Sequence, residues 1–193
     1  MPDPSSARHL YLCGYRAVGK STVAGLIADR LDRPVIDLDV EIATEASRCI
    51  AEIFADEGEA GFRDRESRRL MSLPASPPAV ISLGGGTVVR SENRQWIIRT
   101  GVTLWLTAEV DTIVGRLTGD AATAASRPSL TAAGVHDEVR TVLQQRQQWY
   151  EAVATLRVAT DGLTAAEVAE RGLAAWRTLS LTEPAFPPVA RRR

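Results

Sequence analysis

Lysine is almost missing from this chain of 193 residues: of its 23 basic side chains, 22 are arginine and only Lys20 is lysine. An ammonium and a guanidinium are not interchangeable where a compact point charge is needed, so the neighbours of Lys20 merit inspection. Cysteine is scarce as well. Cys13 and Cys49 have no metal-ligand spacing, which removes a cysteine-based metal site. No run approaches 18 uninterrupted apolar residues, so no segment reads as a membrane-spanning helix. The first six residues lack the apolar stretch of a signal peptide. Charge of one sign is lacking too. The formal net charge is -1, which leaves no bulk field to hold nucleic acid or an anionic membrane. These absences predict a cytoplasmic protein, a monomer, with small-molecule partners, no nucleic acid and no membrane.

What is present is ordinary for a globular chain: 45% apolar and 24% charged residues. The length suits one domain. Short apolar runs read as strands at 9–13, 35–37, 79–83, 102–106 and 156–159. Between them lie stretches with helical periodicity at 20–31, 41–47, 50–56, 59–73, 91–99, 109–117, 137–153 and 164–179. Thr164 is placed to cap the last. Strands alternating with helices predict an α/β fold, a mostly parallel sheet covered on both faces. The stretch 119–134 is small, polar and without period, and is expected to be a mobile loop.

The first strand runs into Gly14-Tyr15-Arg16-Ala17-Val18-Gly19-Lys20-Ser21, followed by Thr22. This is the G-x-x-x-x-G-K-[ST] phosphate loop. Glycines at both ends permit a tight wrap, so backbone N–H groups can face phosphate oxygens. The next helix aims its positive end at the same anion. Lys20 can reach the β- and γ-phosphates, and the Ser21 hydroxyl can ligate Mg²⁺. No Asn-Lys-x-Asp guanine signature occurs, and the chain is short; both favour a small-molecule kinase.

Asp37-Leu38-Asp39 ends the second strand. Ligands of open parallel sheets bind outside the carboxyl ends of the strands. If the segment is extended, period two puts both carboxylates on one side; the alternative is a solvated helix N-cap. Two close carboxylates need compensation, which Mg²⁺ at one and an acceptor hydroxyl at the other would supply.

With the phosphate loop and Asp37-x-Asp39 stand Ile50-Ala51-Glu52-Ile53-Phe54, Gly58-Glu59-x-x-Phe62-Arg63-x-x-Glu66, Ser82-Leu83-Gly84-Gly85-Gly86, Arg127-Pro128 and Arg146-x-x-x-Tyr150. In order and rough spacing these resemble the shikimate kinases, over nearly the whole chain except its ends. The resemblance implies a nucleoside-monophosphate-kinase-like fold: a five-stranded parallel sheet flanked by helices, with a mobile lid. It implies transfer of the γ-phosphoryl of ATP to the 3-hydroxyl of shikimate, on the route to chorismate and aromatic amino acids. The implied catalytic residues are Lys20, Asp39 and Arg127. Phosphate and nucleotide fall to residues 14–22, with Arg116 along adenine and Arg127 in the lid. Mg²⁺ falls to Ser21 and Asp37. The acceptor falls to Asp39, Arg63, Gly84, Gly85, Gly86 and Arg146. Residues 9–180 would form one kinase domain, with an acceptor segment at about 39–73, a lid at about 119–134, an N-terminal extension over 1–8 and a disordered tail over 181–193.

Physical signs agree. Phe62, Glu66, Leu70 and Leu73 form one helical stripe, so Glu66 sits on an apolar face where a bare carboxylate is costly. Arg63, three residues before it, is close enough to pair. Arg146 falls on the stripe Val139, Val142, Leu143, Trp149, Tyr150 and Val153. Two guanidiniums converging on a small anion suit a carboxylate substrate. Three glycines at a strand end let a ligand approach backbone N–H groups.

The chain departs from the family at two places. Ala17 stands where such loops usually carry their middle glycine, and a negative φ is expected there to accommodate its methyl. The lid reads Arg127-Pro128-Ser129-Leu130-Thr131, where a leucine-rich version is usual, and the stretch from Arg116 to Arg127 is longer than usual. Two other readings remain on the sequence: a related kinase for another polyol acid such as gluconate, and a nucleotide-binding module without turnover.

Overall fold

The structure, a computed structural model, describes residues 8–74, 77–119 and 134–182. The stretches 1–7, 120–133 and 183–193, where most of the N-terminal extension, the lid with Arg127 and most of the tail were expected, lie outside the described residues. The elements run β1 (His9–Cys13), α1 (Lys20–Leu31), β2 (Val35–Asp37), α2 (Leu38–Ala46), α3 (Ile50–Ser72), β3 (Val80–Ser82), a 3-10 turn (Thr87–Val89), α4 (Ser91–Thr100), β4 (Gly101–Thr107), α5 (Val110–Gly119), α6 (Val135–Val153), β5 (Leu156–Ala159) and α7 (Ala165–Thr182). No described helix is long and apolar enough to cross a membrane.

The five strands form one parallel sheet of order β2-β3-β1-β4-β5. Side chains of a strand alternate between faces, and β1 shows why both faces must be covered. Leu10 and Leu12 join one core with Val80, Val102, Leu104 and Leu106, closed by α1, α5 and α7. Tyr11 and Cys13 join a second core with Ile81 and Trp105, closed by α2, α3, α4 and Tyr150 of α6. The near-continuous apolar strands are those of a parallel sheet buried on two sides.

Local chemistry sets the boundaries. Thr164 Oγ1 accepts from the Glu167 N–H at 3.3 Å, and the Glu167 carboxylate accepts from the Thr164 N–H at 2.8 Å, a reciprocal cap. The two helices expected over 50–56 and 59–73 are both present, following one another as α3 across a non-helical Gly58 with φ 67° and ψ -177°. Across that break Arg65 grips Glu57 through Nε and Nη2, each at 2.8 Å.

Register lines up the carboxyl ends. Asp37 pairs with Ser82, and Leu12 with Ser82, so the loop after β1, the end of β2 and the turn after β3 meet on one rim. The chain crosses β1 between β3 and β4, which puts the switch in strand order at the phosphate loop.

Candidate active site

The phosphate loop is fastened from below. Tyr15 and Val18 turn their side chains into the core at 4% and 2% exposure. Gly14 has φ 141°, and a Cβ there would overlap the Leu106 carbonyl of β4. Gly19, at φ 90°, caps α1 with no side-chain hydrogen bond, so its rim is backbone. Lys20 is buried, and its Nζ donates to the Tyr15 carbonyl at 2.9 Å, which folds the ammonium back over the loop. Beneath it, burial pushes the Cys13 thiol up to about 12, with the Lys20 charge opposing; Cys13 is an inert packing group.

Ala17 corrects the sequence reading. Its φ is 62°, the left-handed region, and not the negative value expected. The glycine usual at this place was itself the signal, since only glycine adopts that conformation without cost. A left-handed alanine costs roughly 1–2 kcal/mol, partly offset by the greater unfolded-state freedom of glycine. Ala17→Gly is therefore expected to stabilise the protein by about 0.5–1 kcal/mol, a rise of ~1–4 °C in Tm by calorimetry. An unchanged or lower Tm would contradict the strain.

Asp37 corrects a second reading. The Asp37–Asp39 segment is not extended. Asp37 closes β2 and becomes the N-cap of α2, its Oδ1 accepting from the N–H groups of Asp39 and Val40 at 3.1 and 3.3 Å. Its Oδ2 accepts from the Ser21 hydroxyl at 2.5 Å. Ser82 Oγ lies 3.4 Å from Ser21 Oγ. The cap and the contact with Ser21 use different oxygens, so one aspartate serves both. Asp39 sits in the first turn of α2, and its Oδ1 would lie 2.8 Å from a Cβ at Gly84.

The glycine turn after β3 is where the remaining groups meet. All three glycines are buried. A Cβ at Gly84 would overlap Glu66, and one at Gly86 would overlap the Arg63 guanidinium. Gly85 faces the phosphate loop, its Cβ position 3.5 Å from the Arg16 nitrogen and the Gly14 carbonyl. The Gly85 carbonyl accepts from Arg146 Nη1 at 3.1 Å and from the Tyr150 hydroxyl at 2.5 Å. Burial pushes the Tyr150 phenol up, so it remains a donor. The two arginines singled out in the sequence therefore reach adjacent residues of one turn.

Arg63 and Glu66 pair at 2.5 Å, as their spacing predicts, with Glu66 fully buried. Glu59 adds a second contact to Arg63 at 3.1 Å. Burial works against the Arg63 charge, but Glu66 and Glu59 outweigh it and raise its pKa above the ordinary value. Removing one partner of such a pair strands the other's charge at a cost of about 3–5 kcal/mol.

Other contacts escaped the sequence. Arg16 Nη2 meets Glu138 of α6 at 3.0 Å. Arg116 donates to the Ala17 carbonyl at 3.3 Å and to Thr160 Oγ1 and carbonyl at 3.0 and 2.9 Å, bridging the phosphate loop and the turn after β5. Glu138 lies 122 residues from Arg16, and Ala17 and Thr160 lie 99 and 44 residues from Arg116, with no local signal. Thr87, beside the glycine turn, donates to Glu66 Oε1 at 2.7 Å; its place directly after Gly86 was the available clue.

A phosphate loop delivered by the central strand, with two arginines brought to the adjoining glycine turn, defines a P-loop phosphotransferase of the nucleoside-monophosphate-kinase-like fold. Residues 16–177 match the sequence model of the family described as Shikimate kinase. The shikimate kinase of Rhodopirellula baltica is 52% identical over 159 residues, 82% of this chain and 85% of that one. That of Symbiobacterium thermophilum is 38% identical over 153 residues, 79% and 87% of the two chains. The solved shikimate kinase from Acinetobacter baumannii in complex with shikimate superposes with a TM-score of 0.83 at 29% identity, covering 92% of this chain and 96% of that one. The chain belongs to the shikimate kinase family.

Proposed function

We propose that this kinase transfers the γ-phosphoryl of ATP to the 3-hydroxyl of shikimate, giving shikimate 3-phosphate and ADP. The observation that carries the substrate is the glycine turn: Arg63 lies against Gly86 and Arg146 bonds Gly85, beside Asp39 and the phosphate loop. We assign the loop 14–22 and Lys20 to the nucleotide phosphates, Arg116 to the adenine side, and Arg63 and Arg146 to the acceptor carboxylate. The acceptor segment is 39–73 within a kinase domain over 9–180. ATP and the acceptor are its partners in the cytoplasm, a role in keeping with the net charge of -1.

The Ser21 hydroxyl and the Asp37 carboxylate are hard oxygen donors 2.5 Å apart, a set that fits Mg²⁺ held jointly with phosphates. We assign that ion to them. A bound Mg²⁺ would neutralise charge on the β- and γ-phosphates. Asp39 holds the acceptor hydroxyl and takes its proton as that oxygen bonds to the γ-phosphorus, while the bond from phosphorus to the bridging oxygen of ADP breaks. Lys20 offsets the charge that gathers on the transferred group. Catalysis of this kind is mainly positioning and charge stabilisation.

The carboxylate assignment has a direct test. A charge-assisted hydrogen bond contributes about 1.5–3 kcal/mol, so losing one should weaken acceptor use about tenfold to a hundredfold. Arg146→Ala and Arg63→Ala are each expected to raise the KM for shikimate on that scale and leave the KM for ATP nearly unchanged. Arg146 is half-buried and is the cleaner site, because Arg63→Ala also strands Glu66. Shikimate methyl ester should be a poor substrate of the wild type and should lose much less on either substitution. Equal losses for ester and acid in a coupled ADP-release assay would make both arginines structural.

A further inference from the structure

Glu66 has no exposed surface, and its two oxygens are divided between two donors. Oε2 takes the Arg63 Nη1 at 2.5 Å, and Oε1 takes the Thr87 hydroxyl at 2.7 Å. Thr87 is equally buried and is held at three points. Its N–H donates to the Gly84 carbonyl at 3.1 Å, its carbonyl accepts from Asn93 Nδ2 at 2.9 Å, and its hydroxyl is left for Glu66. The Arg63 guanidinium occupies the space where Gly86 has no side chain, one residue before Thr87. Thr87 thus touches the far side of the same carboxylate whose near side sets the arginine.

We propose that Thr87 is a positioning residue for the acceptor: its hydroxyl orients the Glu66 carboxylate, and Glu66 in turn fixes Arg63 over the glycine turn. The inference rests on the assignment of Arg63 to the acceptor carboxylate. Alanine or valine at position 87 would leave the Glu66 oxygen buried and short of a donor, a costly state for a charged group. Three charged or polar groups face Glu66. Arg63 on its own helix and Thr87 on the 3-10 turn favour its ionised form, while burial and Asp39 on α2 oppose it. Loss of the Thr87 hydroxyl tips that balance toward protonation, and a neutral Glu66 grips Arg63 weakly.

The test compares wild type, Thr87→Val, Thr87→Ala and Thr87→Ser in steady-state kinetics across pH, with thermal unfolding of each. Thr87→Val keeps the shape and removes the hydroxyl. It is expected to raise the KM for shikimate about tenfold, the scale of one lost hydrogen bond to a charged group. The KM for ATP should hold. The acid limb of kcat/KM for shikimate should move to higher pH, because a donor to the charged form is gone. Thr87→Ser should restore both. Thr87→Ala carries the same expectation and serves where the valine protein lacks a cooperative transition. An unmoved acid limb with an unchanged shikimate KM, or equal rises in both KM values, would overturn the inference while the wild type still phosphorylates shikimate. A wild type inactive on shikimate would overturn the assignment beneath it.

Discussion

Lys20→Met is expected to fold and bind its surroundings as the wild type does, and to turn over at least ~10²–10³ times more slowly, the scale of one preorganised charge at the reacting centre. The fold should survive because the loop is anchored by Tyr15 and Val18, both buried, and by Gly14 beneath the Leu106 carbonyl. Methionine fills the space of the lysine stem, and the change removes the donor to the Tyr15 carbonyl and the charge itself. No other lysine exists to take over, and among the described residues two arginines of the loop region are engaged, Arg16 by Glu138 and Arg116 by Thr160. Circular dichroism and steady-state kinetics together check this. Near-normal turnover in a folded protein would remove the phosphate-loop argument.

Asp39→Asn is expected to lower kcat by ~10²–10⁴, the range for a positioned general base, with the KM for ATP unchanged. The substitution keeps shape and removes charge. Asp39 faces Gly84 of the glycine turn, whereas Asp37 faces Ser21 of the phosphate loop. That separation is why the two aspartates should give different phenotypes. Burial pushes the Glu66 carboxyl up and the Asp39 charge adds to it in a lesser degree, so removing that charge favours the ionised Glu66 that pairs with Arg63. Unchanged turnover with weakened ATP use would instead place Asp39 with the phosphates.

What the sequence made legible follows from interaction range. The strand–loop–helix at 9–31 and the Arg63–Glu66 pair depend on neighbours a few residues apart, and both stand as expected. Asp37-Leu38-Asp39 admitted an extended segment or a helix N-cap, and the second holds because an aspartate side chain can satisfy the bare N–H groups of a helix start. The reading of Ala17 failed because a motif records residue types and not φ. The contacts of Thr87, Glu138 and Thr160 join parts of the chain far apart, and pairings of that sort exist only once the sheet has set its neighbours side by side.

The sheet order has a consequence for synthesis. The phosphate loop is made before the strands on either side of it, for β1 lies between β3 and β4. Its hydrogen-bonding partners are residues 80–82 and 101–105, and the Leu106 carbonyl that Gly14 lies against comes later still. Non-local parallel pairing of this kind is slow and leaves unpaired strand edges in the meantime. On the ribosome, the motif most easily read from the sequence therefore lacks its sheet neighbours until residues 80–106 have emerged. Over that interval the apolar run Leu10–Leu12, fully buried in the folded protein, is without the strands that cover its edges.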